Sequence, residues 1–157
     1  MAPTFGLAYF KAQAAASPSL PTAGTVFISV TDAEKPKLLP VARRFQELGF
    51  RLTATEGTRD YLTRHGVKCE RSYKLHEFQR PNIVDQITSR EIALVINTPI
   101  GRTGKFDDAY IRKAAIKYKV PYVTTTAAAR AAAIGIAEYR TGRAAVKSLQ
   151  EYHADIR

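Results

Sequence analysis

The sequence predicts an α/β domain in which five parallel strands alternate with helices as a three-layer, doubly wound sheet of the Rossmann type. Three observations support this. Short β-branched or aromatic runs recur at 25–30, 50–54, 67–72, 92–96 and 121–124. Between them lie segments with helical apolar spacing and capping residues. The fourth run, Ile92-Ala-Leu-Val-Ile, is apolar throughout, as strands covered on both faces are. A length of 157 residues with 45% hydrophobic content suffices for one domain with one core.

Taken in order, Pro3 to Ala16 predicts a helix whose apolar surface, from Phe5, Leu7, Ala8, Phe10 and Ala14, is uneven. Ser17-Pro-Ser-Leu-Pro breaks it, because each proline removes a backbone donor and restricts the residue before it. Residues 1–23 are therefore expected to be a helix and connector, and 24–157 the domain proper. After the first strand, Thr31-Asp32 precedes a helix marked by Leu38, Leu39, Ala42, Phe45 and Leu48 and closed by Gly49. Pro36 suits a first turn, whereas Pro40 predicts a late start or a bend.

Thr55-Glu-Gly-Thr leads the second strand directly into a helix reaching Arg64. Tyr73 to Pro81 is expected to be a loop carrying Lys74, His76 and Arg80. Asn82 caps a short helix over Ile83, Val84 and Ile87. Gly101 to Asp108 is polar and predicted as a loop, followed by a helix over Ala109 to Tyr118. Thr126 is expected to cap an alanine-rich helix ending near Tyr139. Gly142 separates it from a last helix over Ala144 to Ile156, with Val146, Leu149, Tyr152 and Ile156 at helical spacing.

Composition narrows the function classes. Twenty-four basic against 14 acidic residues give a formal charge of +10, which suits nucleic acid, anionic small molecules or an acidic partner. No basic run exceeds two residues and no aromatic-interleaved RNA-binding motif occurs, so nucleic acid is not expected. The lone Cys69 cannot form an internal disulfide, and three histidines far apart do not suggest a metal site. No apolar stretch approaches the ~20 residues of a membrane helix, and the N-terminus lacks a secretory pattern. The expectation is a soluble, cytoplasmic protein.

In open α/β sheets ligands bind outside the carboxyl ends of the strands. Ser29, Thr55 to Thr58, Lys74, Asn97-Thr98 and Thr124 to Thr126 fall at or near that edge. Thr55-Glu-Gly-Thr can present backbone N–H groups and hydroxyls to a phosphate at the positive end of a helix, or simply cap it. Lys35 and Lys74 can each add a charge-assisted contact, or remain solvated. Asn97 with Thr98 has donors and acceptors for a base or ribose, or else ends a strand as a turn residue. His65 and His76 lack a paired Cys or carboxylate at metal or triad spacing.

Taken together, Gly24-Thr-Val-Phe-Ile-Ser-Val, Glu47-Leu-Gly-Phe, Ala54-Thr-Glu-Gly-Thr, Lys74-Leu-His-Glu, Arg80-Pro-Asn-Ile-Val-Asp, Leu94-Val-Ile-Asn-Thr-Pro, Tyr118-Lys-Val-Pro-Tyr and Thr124-Thr resemble one family. It is the methylglyoxal-synthase-like C-terminal regulatory domain of the carbamoyl-phosphate synthetase large chain. The resemblance runs from Thr22 to Arg157, and Phe5 to Ala16 resembles the segment joining that domain to the preceding one. It implies an allosteric module for nucleoside monophosphates, with uridine monophosphate (UMP) inhibiting or inosine monophosphate (IMP) activating, in the ligase that supplies pyrimidine and arginine biosynthesis.

By position, the resemblance implies effector-binding roles for Ser29, Lys35, Thr55, Thr58, Lys74, Asn97, Thr98 and Asp107. It implies no catalytic residue, metal or cofactor in the domain itself; ATP and magnesium belong to the parent enzyme. The implied partners are the other domains of the large chain and its glutaminase subunit, with self-association left open. Two departures from the family pattern are Pro99, where some members have threonine, and Phe78-Gln79, where a single glycine is usual. Methylglyoxal synthases share the fold but carry a Gly-Gly-Asp base segment. Here that segment reads Phe78-Gln79-Arg80, and a guanidinium cannot accept the proton, so lyase activity is not expected. The alternatives are a stand-alone lyase of that kind and a docking domain without ligand.

Overall fold

A computed structural model of the protein describes residues 2, 4–16, 18–98, 105–142 and 149–154. Five strands, β1 (Thr25–Ser29), β2 (Arg51–Ala54), β3 (Glu70–Arg71), β4 (Ile92–Asn97) and β5 (Tyr122–Val123), form one sheet in the order β3-β2-β1-β4-β5. Every neighbouring pair is parallel. The backbone winds outward from β1 to β3, then crosses back to β4 beside β1. The β1–β4 seam is therefore the topological switch point, where open α/β sheets leave a crevice. Ser29 and Asn97 are register partners there.

The α-helices among the described residues are α1 (Phe5–Ala16), α2 (Lys35–Glu47), α3 (Glu56–Arg64), α4 (Ile83–Thr88), α5 (Lys105–Lys117), α6 (Thr126–Arg140) and α7 (Leu149–Ala154). Alternation along the strands makes three layers, since successive side chains point to opposite faces. Val26, Ile28, Leu94 and Ile96 pack with Leu38 and Phe45 of α2, Leu62 of α3 and Ile136 of α6. Phe27 and Val95 pack on the other face with Ile83 and Ile87 of α4 and Ile111 of α5, and Ile92 joins them because the β1–β4 register shifts between Ile92 and Leu94.

Helix α1 lies on the outside of α6 through a close glycine contact. A Cβ on Gly135 would come within 2.5 Å of the Gly6 carbonyl oxygen. Phe10 and Tyr139 stack beside this contact with ring centroids 4.3 Å apart. The Arg140 guanidinium donates to the carbonyls of Leu48 and Thr22, which fastens the connector to the same helix.

Several expected boundaries are corrected. Helix α2 begins at Lys35, after a 3₁₀ turn over Asp32–Glu34, and runs through Pro40. Placing Pro40 near the start costs one ladder bond, and burial of Leu38, Val41, Ala42 and Phe45 outweighs it. Helix α5 starts at Lys105, so Asp107 lies in its first turn and not in a loop; acidic residues are favoured there by the helix dipole. Thr125, not Thr126, caps α6, its hydroxyl accepting from the Ala128 N–H at 3.1 Å.

Strand β3 spans two residues instead of the run from Val67 to Ser72, and β5 is equally short. Both are edge strands with a partner on one side only. Asn82 caps α4 as expected, accepting from the Val84 and Asp85 N–H groups while the Asp85 carboxylate accepts from the Asn82 N–H. Of the expected last helix, residues Leu149–Ala154 are helical, while its remainder, with Val146 and Ile156, lies outside the described residues, as do Pro99 and the 101–104 stretch. Among the described residues no helix is long and apolar enough to cross a membrane.

Candidate anion-binding site

The carboxyl end of β2 and the start of α3 define the site. Thr55 is still extended, with φ −62° and ψ 153°, and α3 begins at the next residue with no capping bond from the Thr55 hydroxyl. That hydroxyl instead lies 3.4 Å from the hydroxyl of Thr58. The Thr58 hydroxyl in turn sits 3.4 Å from both the N–H and the carbonyl of Val30. The first turn of α3 therefore keeps its N–H groups free of a capping hydroxyl, and they open on a cavity of about 260 Å³ lined also by Lys35, Lys74 and His76. A helix N-terminus left in this state favours an anion.

Lys35 supplies the first charge. Its side chain is 13% exposed and its ammonium pairs with Asp32 at 2.5 Å. The same Nζ is 3.3 Å from where a Cβ on Gly57 would stand, so it lies directly over the first turn of α3. Lys74 supplies the second charge from the turn before Leu75–Glu77. Of the three lining carboxylates, Glu56 and Glu77 are engaged elsewhere. Arg71 bridges Glu56 at 2.7 Å and Glu77 at 2.9 Å, and Glu77 also accepts from the Lys74 N–H at 3.1 Å.

Asp32 is 95% exposed, and the hydrogen bond from Lys35 holds its carboxyl below the ordinary range. It occupies Lys35 in the way a ligand anion would. Asp32→Asn is expected to tighten phosphate binding slightly, because the amide no longer pairs with the Lys35 ammonium and solvent already screens the exposed pair. Phosphate titration of the two proteins measures it, and weaker binding by the variant would contradict this role.

A second group of polar residues occupies the switch point. Ser29 is fully buried, with no partner for Oγ among the described residues. Asn97 is also fully buried; its Nδ2 donates to Asp108 at 2.9 Å and to the Tyr122 hydroxyl at 2.8 Å, leaving Oδ1 without a partner among the described residues. The expectation that Asn97 offers both donors and acceptors is thus corrected: its donors are spent, and it offers an acceptor. The Thr98 hydroxyl accepts from the Thr31 N–H at 3.3 Å. Asp107 is 5% exposed, has Oδ2 on the Nδ1 of His76 and leaves Oδ1 without a described partner.

Of the eight expected site residues, Lys35, Thr55, Thr58 and Lys74 thus line one cavity. Ser29, Asn97, Thr98 and Asp107 do not line it; they form the adjoining buried set, and His76 connects the two. The residues missed by sequence reasoning are His76, Asp32 and Tyr122. His76 follows Lys74 by two residues, but its carboxylate is 31 positions away, beyond any local motif. Phe78 explains the altered loop: it closes the 3₁₀ turn with φ 53°, a conformation that glycine takes without strain.

Other features do not compete with this site. Hollows of about 410 and 500 Å³ run between α2 and α6, but the α6 N-terminus beside them is capped by Thr125. Burial pushes the Cys69 thiol up to about 12, so the reactive thiolate is scarce at neutral pH. Among the described residues no cluster of three or more His, Cys, Asp or Glu could hold a metal.

Fold and site together define an open α/β domain with a cavity lined by Lys35 and Lys74 beside its switch point. The profile of the MGS-like domain matches residues 37–124, more than half of the sequence, and the chain belongs to that family. It is 47% identical over 96% of its length to the carbamoyl phosphate synthase large chain of Archaeoglobus fulgidus, of which it spans 14%. To the C-terminal section of the carbamoyl phosphate synthase large chain from Methanopyrus kandleri it is 49% identical over 96% of its length, spanning 28% of that protein. The 157 residues thus match a minor part of these curated relatives. The methylglyoxal synthase of Elizabethkingia anophelis superposes with a TM-score of 0.52, covering 70% of this protein and 76% of the other at 21% identity, which shows the shared fold.

Proposed function

We propose that this protein is the effector-binding regulatory domain of a carbamoyl phosphate synthase large chain, and that its effector is a nucleoside monophosphate of the UMP or IMP type. One observation carries the reading: Lys35, Lys74 and the uncapped start of α3 converge on one cavity. A phosphate offers only acceptors, and the cavity offers donors. A nucleoside offers hydroxyl and N–H donors, and the adjoining switch point offers the acceptors Asn97 Oδ1 and Asp107 Oδ1.

In this reading the domain performs no chemistry and needs no metal or cofactor; ATP and magnesium act elsewhere in the cytoplasmic ligase that feeds pyrimidine and arginine biosynthesis. The effector acts by binding two states of the whole enzyme, large chain with glutaminase subunit, unequally. Calorimetric titration of this domain with UMP and with IMP tests the binding step. Saturable one-site heat that inorganic phosphate competes away is expected with at least one of them. Absence of both heat and thermal shift at millimolar nucleotide overturns the proposal. Incubation with dihydroxyacetone phosphate is expected to yield no methylglyoxal.

A further inference from the structure

Resting on that reading of the cavity, we infer that His76 is a third anion ligand, that it binds as the imidazolium, and that Asp107 is the positioning residue that fixes its ring. His76 lines the cavity with Lys35, Lys74 and Thr58, and its Nδ1 is held by Asp107 Oδ2. Asp107 comes from the opposite side of the switch point, in the first turn of α5, and is 5% exposed. A buried carboxylate on Nδ1 keeps a proton at that nitrogen and sets the ring orientation. The remaining nitrogen, Nε2, is left for the cavity.

The protonation state of Nε2 then decides the sign of the contact. In a neutral ring with its proton on Nδ1, Nε2 is an acceptor and opposes an anion lone pair to lone pair. In the imidazolium, Nε2 donates, and the ring becomes a charge-assisted donor between two anions, Asp107 and the ligand. Anion binding at this cavity is therefore coupled to protonation of His76.

The charged groups that line the cavity with the ring are Asp32 from the β1–α2 turn, Lys35 from the start of α2, Glu56 from α3, and Lys74 and Glu77 from its own loop, with Asp107 from α5 on the ring. Asp32 is tied to Lys35, and Glu56 and Glu77 to Arg71. Asp107 is the one carboxylate of this set placed on the ring itself.

Sulfate is the probe, because it does not titrate near neutrality and any pH dependence belongs to the protein. Sulfate titrations of the 157-residue protein at pH 6 and pH 8 bracket ordinary histidine titration. Wild type is expected to bind about tenfold more tightly at pH 6, the scale of one charge-assisted hydrogen bond, and to take up protons on binding. His76→Gln, at a side chain 61% exposed, is expected to fold normally and to bind with no pH dependence. Asp107→Asn is expected to reduce the pH dependence, and the double variant to bind no more weakly than His76→Gln alone.

A flat wild-type profile, or a pH dependence that survives in His76→Gln, overturns the inference while leaving the cavity reading intact. Failure of sulfate, UMP and IMP to bind at either pH overturns both. Thermal melting of each variant separates lost binding from lost folding.

Discussion

Lys35→Ala is expected to weaken UMP or IMP binding by about tenfold to a hundredfold, with Lys74→Ala losing about tenfold and the double variant the most. These sizes follow from charge-assisted hydrogen bonds of roughly 1.5–3 kcal/mol each, at about 1.4 kcal/mol per decade. Lys35 is placed at the upper end because its side chain is 13% exposed and lies over the first turn of α3, where solvent screens it less. Loss of the ion pair should hardly move stability, since its partner Asp32 is 95% exposed and solvent screens such pairs. Calorimetry and thermal melting read the two quantities separately. Unchanged affinity in both single variants removes these lysines from the binding site.

The second large effect concerns the frame, not the ligand. Gly135→Ala puts a methyl group 2.5 Å from the Gly6 carbonyl oxygen and 3.0 Å from Phe10 Cβ. The backbone of α1 cannot rotate away as a side chain would, so the helices must separate. Overpacking of this kind costs about 1–3 kcal/mol, and for a protein of this size each kcal/mol lowers Tm by ~2–4 °C. The Phe10–Tyr139 stack should loosen as well, readable in tyrosine fluorescence because the sequence has no tryptophan. Sulfate affinity should stay at the wild-type value, since neither Gly6 nor Gly135 touches the cavity. An unchanged melting temperature would show that α1 is not seated by this contact.

Legibility in the sequence followed the range of the interaction. The apolar run of β4 and the Asn82 cap could be read because their signals lie within a few residues. The two lysines and Thr58 could be placed together because the strand-to-helix order brings strand ends to one edge. What escaped depended on partners distant in sequence. Pro40 sits in a helix because the face beneath it buries Leu38, Val41 and Phe45, and propensity yields to that burial. Asn97 lost its donors to Asp108 and Tyr122, and His76 gained Asp107, through a packing of α5 and β5 against β4 that no local spacing encodes. The start of α5 was missed because Lys105-Phe-Asp-Asp resembles a polar loop until its acidic residues are seen as a favourable first turn.

Helix α6 has a hold at each end. At its front the Thr126 hydroxyl donates to Glu34 at 2.6 Å, one residue before Lys35, while further back Gly135 abuts Gly6 and Arg140 clasps Leu48 and Thr22. Fifteen residues without an interior proline make a rod of ~22 Å. The turn beside the cavity and helix α1 are thus fitted to opposite ends of one stiff spar, so neither can be displaced along its axis without loading the other.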